Sequence, residues 1–168
     1  MKVSIKKYSD WIRLIFKVIV LVSVLWLIFG KCFGLHRVEG VAMAGRTEDG
    51  DLVLYSRMTE EYSADDVVLY EYDGKIYTSS ILAFPGDLIE IDEQGYLYLN
   101  HIRVSDSVAF NLDQGETPNF SSPYRVPSGS YFVLNNNLES MEDSRVFGSI
   151  YTNNIKGKVI SILRTRAI

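Results

Sequence analysis

Apolar residues are concentrated in one long run near the start of the chain. From Val18 to Gly30 there are thirteen consecutive residues without a charge, and extension to Trp11 and Phe33 gives a helix-length segment interrupted by three basic residues. A membrane-spanning helix needs about 20 mostly apolar residues, and basic side chains near its ends can reach the lipid headgroups. This run therefore predicts one N-terminal transmembrane helix.

After Leu35 the apolar positions recur in short runs between turn residues, and no segment sustains the 3.6-residue period of a helix. This pattern predicts a mainly β domain of strongly bent antiparallel sheets. The polar segment Ser105–Pro123 has no clear period, so we expect it to be an exposed loop or insertion. The predicted strands are Leu52–Tyr55, Val67–Tyr72, Ile76–Phe84, Leu88–Ile91, Tyr96–Leu99, Tyr131–Leu134 and Val159–Leu163.

Turn residues separate these runs. Asp73-Gly74 predicts a tight hairpin because both positions tolerate a positive φ, and Gly95 and Asn100-His101 indicate further turns. Three strand openings look alike, since each places a turn residue and an aspartate before an apolar run. We interpret these openings as turn chemistry rather than as acidic sites; they are Gly50-Asp51, Asp65-Asp66 and Gly86-Asp87.

Charge divides the chain into two parts. Residues 1–34 carry six basic residues and one acid, whereas residues 35–168 carry eleven basic and twenty acidic residues, a net charge of −9. A basic segment before an apolar span predicts a cytoplasmic N-terminus, and the acidic body argues against a nucleic-acid partner. We therefore expect a short cytoplasmic segment and anchor in 1–34, and an extracellular domain in 35–168.

The anchor is expected to remain uncleaved. The residues around its end do not have the Ala-x-Ala pattern of a signal-peptide cleavage site, and Lys31 stands before Cys32 where a lipoprotein would have small residues. Cys32 is the single cysteine, so no intrachain disulfide can form.

Other candidate chemistry is weak. A relocated serine–histidine pair would need a proximity that sequence does not show, and turn or surface roles are expected for His36 and His101. The acidic segments lack the ligand spacing of a calcium loop, so no metal or cofactor is expected. The serines considered as nucleophiles are Ser56, Ser79, Ser80, Ser140 and Ser144.

A series of short motifs resembles, in order, the motifs of the type I signal peptidase family. That family has Gly-x-Ser-Met-x-Pro, then Gly-Asp-hydrophobic and Gly-Asp-Val-Val segments, then Tyr-x-Lys-Arg-Val-Ile-Gly-x-Pro-Gly-Asp, and finally Gly-Asp-Asn followed by Ser-x-Asp-Ser-Arg-x-x-Gly. The resemblance implies a signal-peptidase-like β domain behind a membrane anchor. The matching segments here are Gly40–Gly45, Gly50–Leu54, Asp65–Val68, Tyr77–Asp87, Asn135–Asn137 and Met141–Gly148.

This chain departs from the family at the catalytic positions. In the family a serine attacks the scissile carbonyl and a neutral lysine takes its proton, whereas here Ala42 and Ser79 stand at those two positions. The adjacent arginine is replaced by Ser80, and the Gly-Asp of the last motif by Asn135-Asn136. The resemblance therefore implies a natural pseudoenzyme without a catalytic residue, because neither a methyl group nor a neutral hydroxyl can act as a base near pH 7.

Two sets of positions remain of interest. The first set would form a groove that holds an extended peptide by strand addition. The second set matches the family at positions expected to be structural, namely a rigid turn and a carboxylate–guanidinium pair. The groove residues are Gly40, Val41, Ala42, Met43, Tyr77, Ser79, Ser80 and Ile81. The scaffold residues are Pro85, Gly86, Asp87, Asp143 and Arg145.

Among the family's variants, the chain looks most like the signal-peptidase-like proteins of the SipA type that accompany Gram-positive (streptococcal) pilus assembly. That likeness implies a chaperone or assembly factor for exported surface proteins, with pilin subunits and a sortase as partners. Two alternatives remain open: a residual peptidase with a rearranged site, and a membrane scaffold that acts through its anchor or surface.

Overall fold

A computed structural model describes residues 2–38, 50–59, 61–107, 109–110, 118–135 and 142–164. It begins with helix α1 (Lys2–Cys32). The 22 residues Trp11–Cys32 have a mean hydropathy of 2.5 and none of them is buried against the rest of the protein. Helix α1 is therefore long and apolar enough to cross a membrane, which fits either an anchor or a signal sequence.

The remaining described residues form two sheets in which every strand pair is antiparallel. The large sheet has the order β1-β2-β11-β3-β4-β9-β10 and the small sheet the order β7-β6-β5-β8. Irregular register in β11 and β4 bends the large sheet. The strands are β1 (Phe33–Arg37), β2 (Leu52–Ser56), β3 (Val67–Tyr72), β4 (Lys75–Ala83), β5 (Leu88–Ile91), β6 (Leu97–Leu99), β7 (Ile102–Arg103), β8 (Tyr124–Arg125), β9 (Ser130–Leu134), β10 (Ile150–Tyr151) and β11 (Ile155–Leu163), with a short helix α2 (Ser144–Phe147) and a 3₁₀ turn (Thr152–Asn154).

The predicted fold class is confirmed, since the domain is mainly antiparallel β behind one apolar helix. Each of the seven predicted strands overlaps an observed one, and four further strands were not predicted. Three of these, β7, β8 and β10, have two residues each, which is too short to show an alternating pattern. The fourth, β1, follows α1 without an intervening turn.

The turn predictions are also confirmed. Asp73 and Gly74 have φ angles of 49° and 73° and join β3 to β4. Before β2, β3 and β5 the backbone passes through a residue with φ of 88°, 65° and 93°, at Gly50, Asp65 and Gly86 respectively. Aspartate is one of the few residues other than glycine that tolerate a positive φ, so Asp65 can take the positive φ that glycine takes in the other two openings.

The expectation of an exposed loop at Ser105–Pro123 is wrong for its described middle part. Ala109 is 4% exposed and Phe110 is completely buried. Both backbone N–H groups donate to the carbonyl of Gly95, at 2.9 and 3.1 Å, and both side chains join the apolar cluster between the two sheets. The apolar run Val108–Phe110 has only three residues, which is too short a pattern to indicate burial.

Close contacts form where helix α1 meets the β domain. The Tyr55 ring, on β2, lies against the backbone at Gly34 of β1 and near Gly157 of β11, so that a Cβ atom at either glycine would overlap it or the backbone of Ser56. Beside this ring, the N–H of Arg57 donates to the carbonyl of Cys32 at 2.9 Å. Strand β1 therefore packs against β2 directly after helix α1 ends.

Candidate functional site

The position expected to carry the family's lysine lies inside the large sheet. Ser79 on β4 is completely buried, and its hydroxyl oxygen is 3.1 Å from the Tyr70 hydroxyl on β3. The Tyr70 hydroxyl also donates to the carbonyl oxygen of Glu142 at 3.4 Å. Burial raises the pKa of the Tyr70 phenol well above its usual value. The pair is therefore neutral near pH 7, and neither hydroxyl can accept a proton as a base there.

The lysines of the domain lie at its surface. After residue 35 the sequence has three lysines, and the structure describes all of them. Lys75 is exposed. The ammonium of Lys156 pairs with Glu71 at 2.6 Å, and that of Lys158 pairs with Asp66 at 2.7 Å; both lysine side chains are more than a third exposed. A lysine acts as a base when burial keeps it neutral, and none of these three is in such a setting.

The nucleophile segment lies outside the described residues. Gly40, Val41, Ala42 and Met43 all fall there, so their position beside Ser79 stays a prediction. Asn136 and Ser140 fall outside as well.

The described groove residues do not share one face of β4. Tyr77 and Ile81 pack into the apolar cluster that contains Tyr70, and Ser79 reaches the same side through its hydrogen bond to Tyr70. Because side chains alternate along a strand, Ser80 points to the other side. The groove itself stays a prediction, and a peptide bound along this strand would meet different side chains on its two faces.

The backbone pairing of β4 changes at Ser80. From Lys75 to Ser80 the strand pairs with β3, and β9 pairs with it only from Ser80 onward. Over Tyr77–Ser79, the edge of β4 that faces away from β3 has no pairing from the strands that the structure describes. Strand addition of an extended peptide requires an edge of this kind.

On the side to which Ser80 points there is a cleft of about 230 Å³. It lies between the large sheet and the segment that follows β7. Four polar and four apolar residues form its wall. The polar ones are Asp65, Ser80, Ser105 and Asn135, and the apolar ones are Ile81, Leu82, Val104 and Leu134.

The ion pair expected from the last motif is present and completely buried. The guanidinium of Arg145 donates to the Asp143 carboxylate, with its Nη2 2.9 Å from Oδ2 and its Nε 3.0 Å from Oδ1. Asp143 also accepts from the N–H of Asn135 at 2.8 Å, and Arg145 donates to the carbonyl of Ala109 at 3.0 Å. Through these hydrogen bonds the ion pair connects helix α2 to the end of β9 and to the buried residues at Ala109.

The rigid turn expected at Pro85-Gly86-Asp87 joins the two sheets. The Asp87 carboxylate accepts from the N–H of Phe84 at 2.8 Å and from the side-chain amide of Asn100 at 2.9 Å. The N–H of Gly86 donates to the carbonyl of Val126. These contacts are structural, because each hydrogen bond joins two groups of this chain and helps to hold the turn in place.

The remaining candidate nucleophiles and histidines have local partners. Ser144 accepts from the N–H of Val133 at 2.9 Å, and Ser56 accepts from the N–H of Met58 at 3.3 Å. His101 lies in the turn after β6 and pairs with Glu90 at 2.7 Å. His36 lies in β1, close to the end of helix α1. Within the described part of the chain, no group of three or more metal-ligating side chains occurs.

Sequence reasoning missed Tyr70, although a signal for it was available. A two-residue hairpin at Asp73-Gly74 sets the register of β3 and β4, which places Tyr70 opposite Tyr77 and Val68 opposite Ser79. Tyr70 and Ser79 are then diagonal neighbours on one face, within reach of a long side chain. The cleft could not be found in this way, because it is built from segments far apart in sequence.

Comparison with known proteins agrees with the motif order. The family described as "Signal peptidase, peptidase S26" matches residues 8–163. A signal peptidase I of Bacillus licheniformis is 30% identical over 148 residues, which cover 81% of this chain and 77% of that protein. A protein named "Inactive signal peptidase IA" from Staphylococcus aureus (strain Mu50) is 26% identical over 148 residues, covering 83% of this chain and 84% of that protein.

Among solved structures, a signal peptidase I from Enterococcus faecalis V583 aligns with 61% of this chain and 98% of its own, at 21% identity and a TM-score of 0.43. The family match extends from helix α1 to the last strand, and the Bacillus licheniformis relative spans most of both chains. The chain therefore belongs to the signal peptidase I family, peptidase S26.

Proposed function

We propose that this chain is a non-cleaving member of the signal peptidase family that binds an extended segment of an exported protein. Helix α1 would anchor it with the N-terminus inside the cell and the β domain outside. In its specific form the proposal is that the chain assists the assembly of pilin subunits together with a sortase.

The observation that carries the loss of catalysis is the surroundings of Ser79. The position that matches the family's lysine holds a neutral hydroxyl bonded to Tyr70, and the lysines of the domain are at the surface. Ala42 supplies no nucleophile at the position that matches the family's serine. A serine–lysine mechanism needs both groups, so no proton transfer of that kind can begin here. The relative named as inactive supports this reading for the family.

The pairing of β4 supports the binding role. Over Tyr77–Ser79 the edge facing away from β3 is not covered by the described strands. Binding by strand addition draws its affinity from backbone hydrogen bonds and its specificity from alternate side chains. Neither source depends on the catalytic groups, so a chain that has lost them can still hold a peptide.

In-cell photocrosslinking tests the binding role. A photoreactive residue at position 42 is expected to capture an exported protein, and capture of a pilin or a sortase would support the specific form. A probe at Tyr151, which is 55% exposed on β10, serves as the surface control. Capture from the anchor or from position 151 without capture from position 42 would contradict groove binding and favour a membrane scaffold.

A further inference from the structure

The cleft beside Ser80 has the size of a site for one side chain. Its volume is about 230 Å³, whereas pockets that enclose whole small molecules measure about 300–1,000 Å³. It adjoins the strand edge described above, because Ser80 and Ile81 line it and directly follow Ser79 on β4. A peptide held at that edge would therefore pass close to its opening.

The wall of the cleft suits a side chain with an apolar stem and a polar end. Leu82, Val104 and Leu134 supply apolar surface, and the hydroxyl and amide groups beside them can accept hydrogen bonds. Asp65 is the one charged residue in the described wall. Lysine and arginine have this combination of a hydrocarbon stem and a cationic end, whereas an acidic side chain would meet the Asp65 carboxylate as a like charge.

The wall is also held in place by the fold. The N–H of Asp65 donates to the carbonyl of Ile81 at 3.0 Å. Asn135 is fixed through its N–H to Asp143 at 2.8 Å, and Ser105 through its carbonyl, which accepts from Arg103 at 2.9 Å. A site that is already ordered loses little conformational entropy when it is occupied.

The charge of the whole domain acts in the same direction. Residues 35–168 carry eleven basic and twenty acidic residues, and a net negative field raises the local concentration of cationic ligands. From this cleft we propose that the bound segment carries a lysine or arginine whose stem packs against Leu82, Val104 and Leu134 and whose charged end reaches Asp65. This inference rests on the proposed function, because it names the kind of peptide that the groove selects.

Peptide binding to the full chain in lipid nanodiscs tests the proposal. The probes are fluorescent octapeptides of alternating valine and threonine with one lysine at each position in turn, matched to peptides with norleucine instead. Norleucine keeps a hydrocarbon stem and lacks the ammonium group. For at least one lysine position we expect lysine to lower Kd by up to about fivefold, the upper end for a charge contact with an exposed carboxylate.

Two variants identify the cleft as the source of this preference. Asp65→Asn removes the charge and Ser80→Arg fills the cleft with the chain's own side chain, so each should abolish the preference for lysine. Asp106→Asn is the matched control, because Asp106 is exposed and does not line the cleft. It should leave the preference unchanged.

The outcomes separate the two proposals. Equal affinity for lysine and norleucine peptides in every register would overturn the cleft proposal and leave peptide binding intact. A preference that survives both Asp65→Asn and Ser80→Arg would also overturn it. If no octapeptide binds at all, the groove itself is contradicted, and the cleft proposal fails with it.

Discussion

The hydroxyl groups of Tyr70 and Ser79 lie 3.1 Å apart inside the large sheet, and both residues are completely buried. Tyr70 donates its proton to the carbonyl of Glu142, so Ser79 donates to Tyr70, and both hydroxyls are paired at a depth where an unpaired hydroxyl would be costly. The motif order predicts the family's lysine at the position of Ser79, and in this chain that position is part of the core. A neutral hydrogen-bonded pair avoids the cost that a charged group would have when buried there.

The raised pKa of Tyr70 predicts a loss of stability at alkaline pH. An unfolded tyrosine ionises near pH 10, whereas burial keeps Tyr70 protonated above that pH in the folded state. The folded state then binds more protons than the unfolded state. The free energy of unfolding should therefore be unaffected by this group below about pH 10 and fall above it, by up to about 1.4 kcal/mol per pH unit.

Tyr70→Phe should remove this part of the pH dependence. Urea unfolding of the full chain in detergent between pH 9 and 11 measures it, with Tyr151→Phe as the exposed control. An equal alkaline slope in Tyr70→Phe and the unsubstituted chain would show that Tyr70 does not stay protonated in the folded state.

The Asp143–Arg145 pair predicts a large cost for removing either partner. Both side chains are fully buried, so Arg145→Met would leave a carboxylate without its counter-charge in the core. Loss of one partner of a buried ion pair costs about 3–5 kcal/mol. Denaturant titration should show this loss in the free energy of unfolding.

Lys156→Met is the matched control for that measurement. The Lys156–Glu71 pair is at the surface, with side chains 39% and 43% exposed, and such pairs contribute about 0–1 kcal/mol. Similar losses in the two variants would contradict a structural role for the buried pair.

The contact between Gly34 and Tyr55 predicts a specific coupling. A Cβ at position 34 would overlap the Tyr55 ring, so Gly34→Ala should destabilise the domain by about 1–3 kcal/mol, the usual cost of overpacking. In a Tyr55→Ala background the same substitution has no ring to meet and should cost much less. A double-mutant cycle by thermal unfolding measures the difference; additive effects of the two substitutions would contradict the packing.

The parts of the fold that sequence could predict are those determined by local pattern. Strand β4 and the Asp73-Gly74 hairpin follow from alternating residues and turn chemistry, and the register that places Tyr70 near Ser79 follows from the hairpin. The family's motif order also pointed to Asp143 and Arg145, which the structure brings into contact. In each case the interacting residues are close in sequence.

Other features depend on contacts that local pattern does not contain. Ala109 and Phe110 are buried because the loop that carries them folds back onto Gly95. The cleft forms only because Val104 and Leu134 come together from segments thirty residues apart. Strand β9 pairs with β4 only from Ser80 onward, and this leaves part of the β4 edge uncovered by the described strands. Where this pairing stops is likewise a property of the assembled sheet.

The most direct test of the account measures binding and cleavage in the same sample. The full chain in nanodiscs is mixed with a fluorescently labelled pilin precursor; anisotropy reports binding, and intact mass spectrometry reports the state of the precursor. We expect saturable binding with the precursor mass unchanged after prolonged incubation. A specific cleaved product that disappears when one serine of this chain is substituted would contradict it and establish a rearranged peptidase.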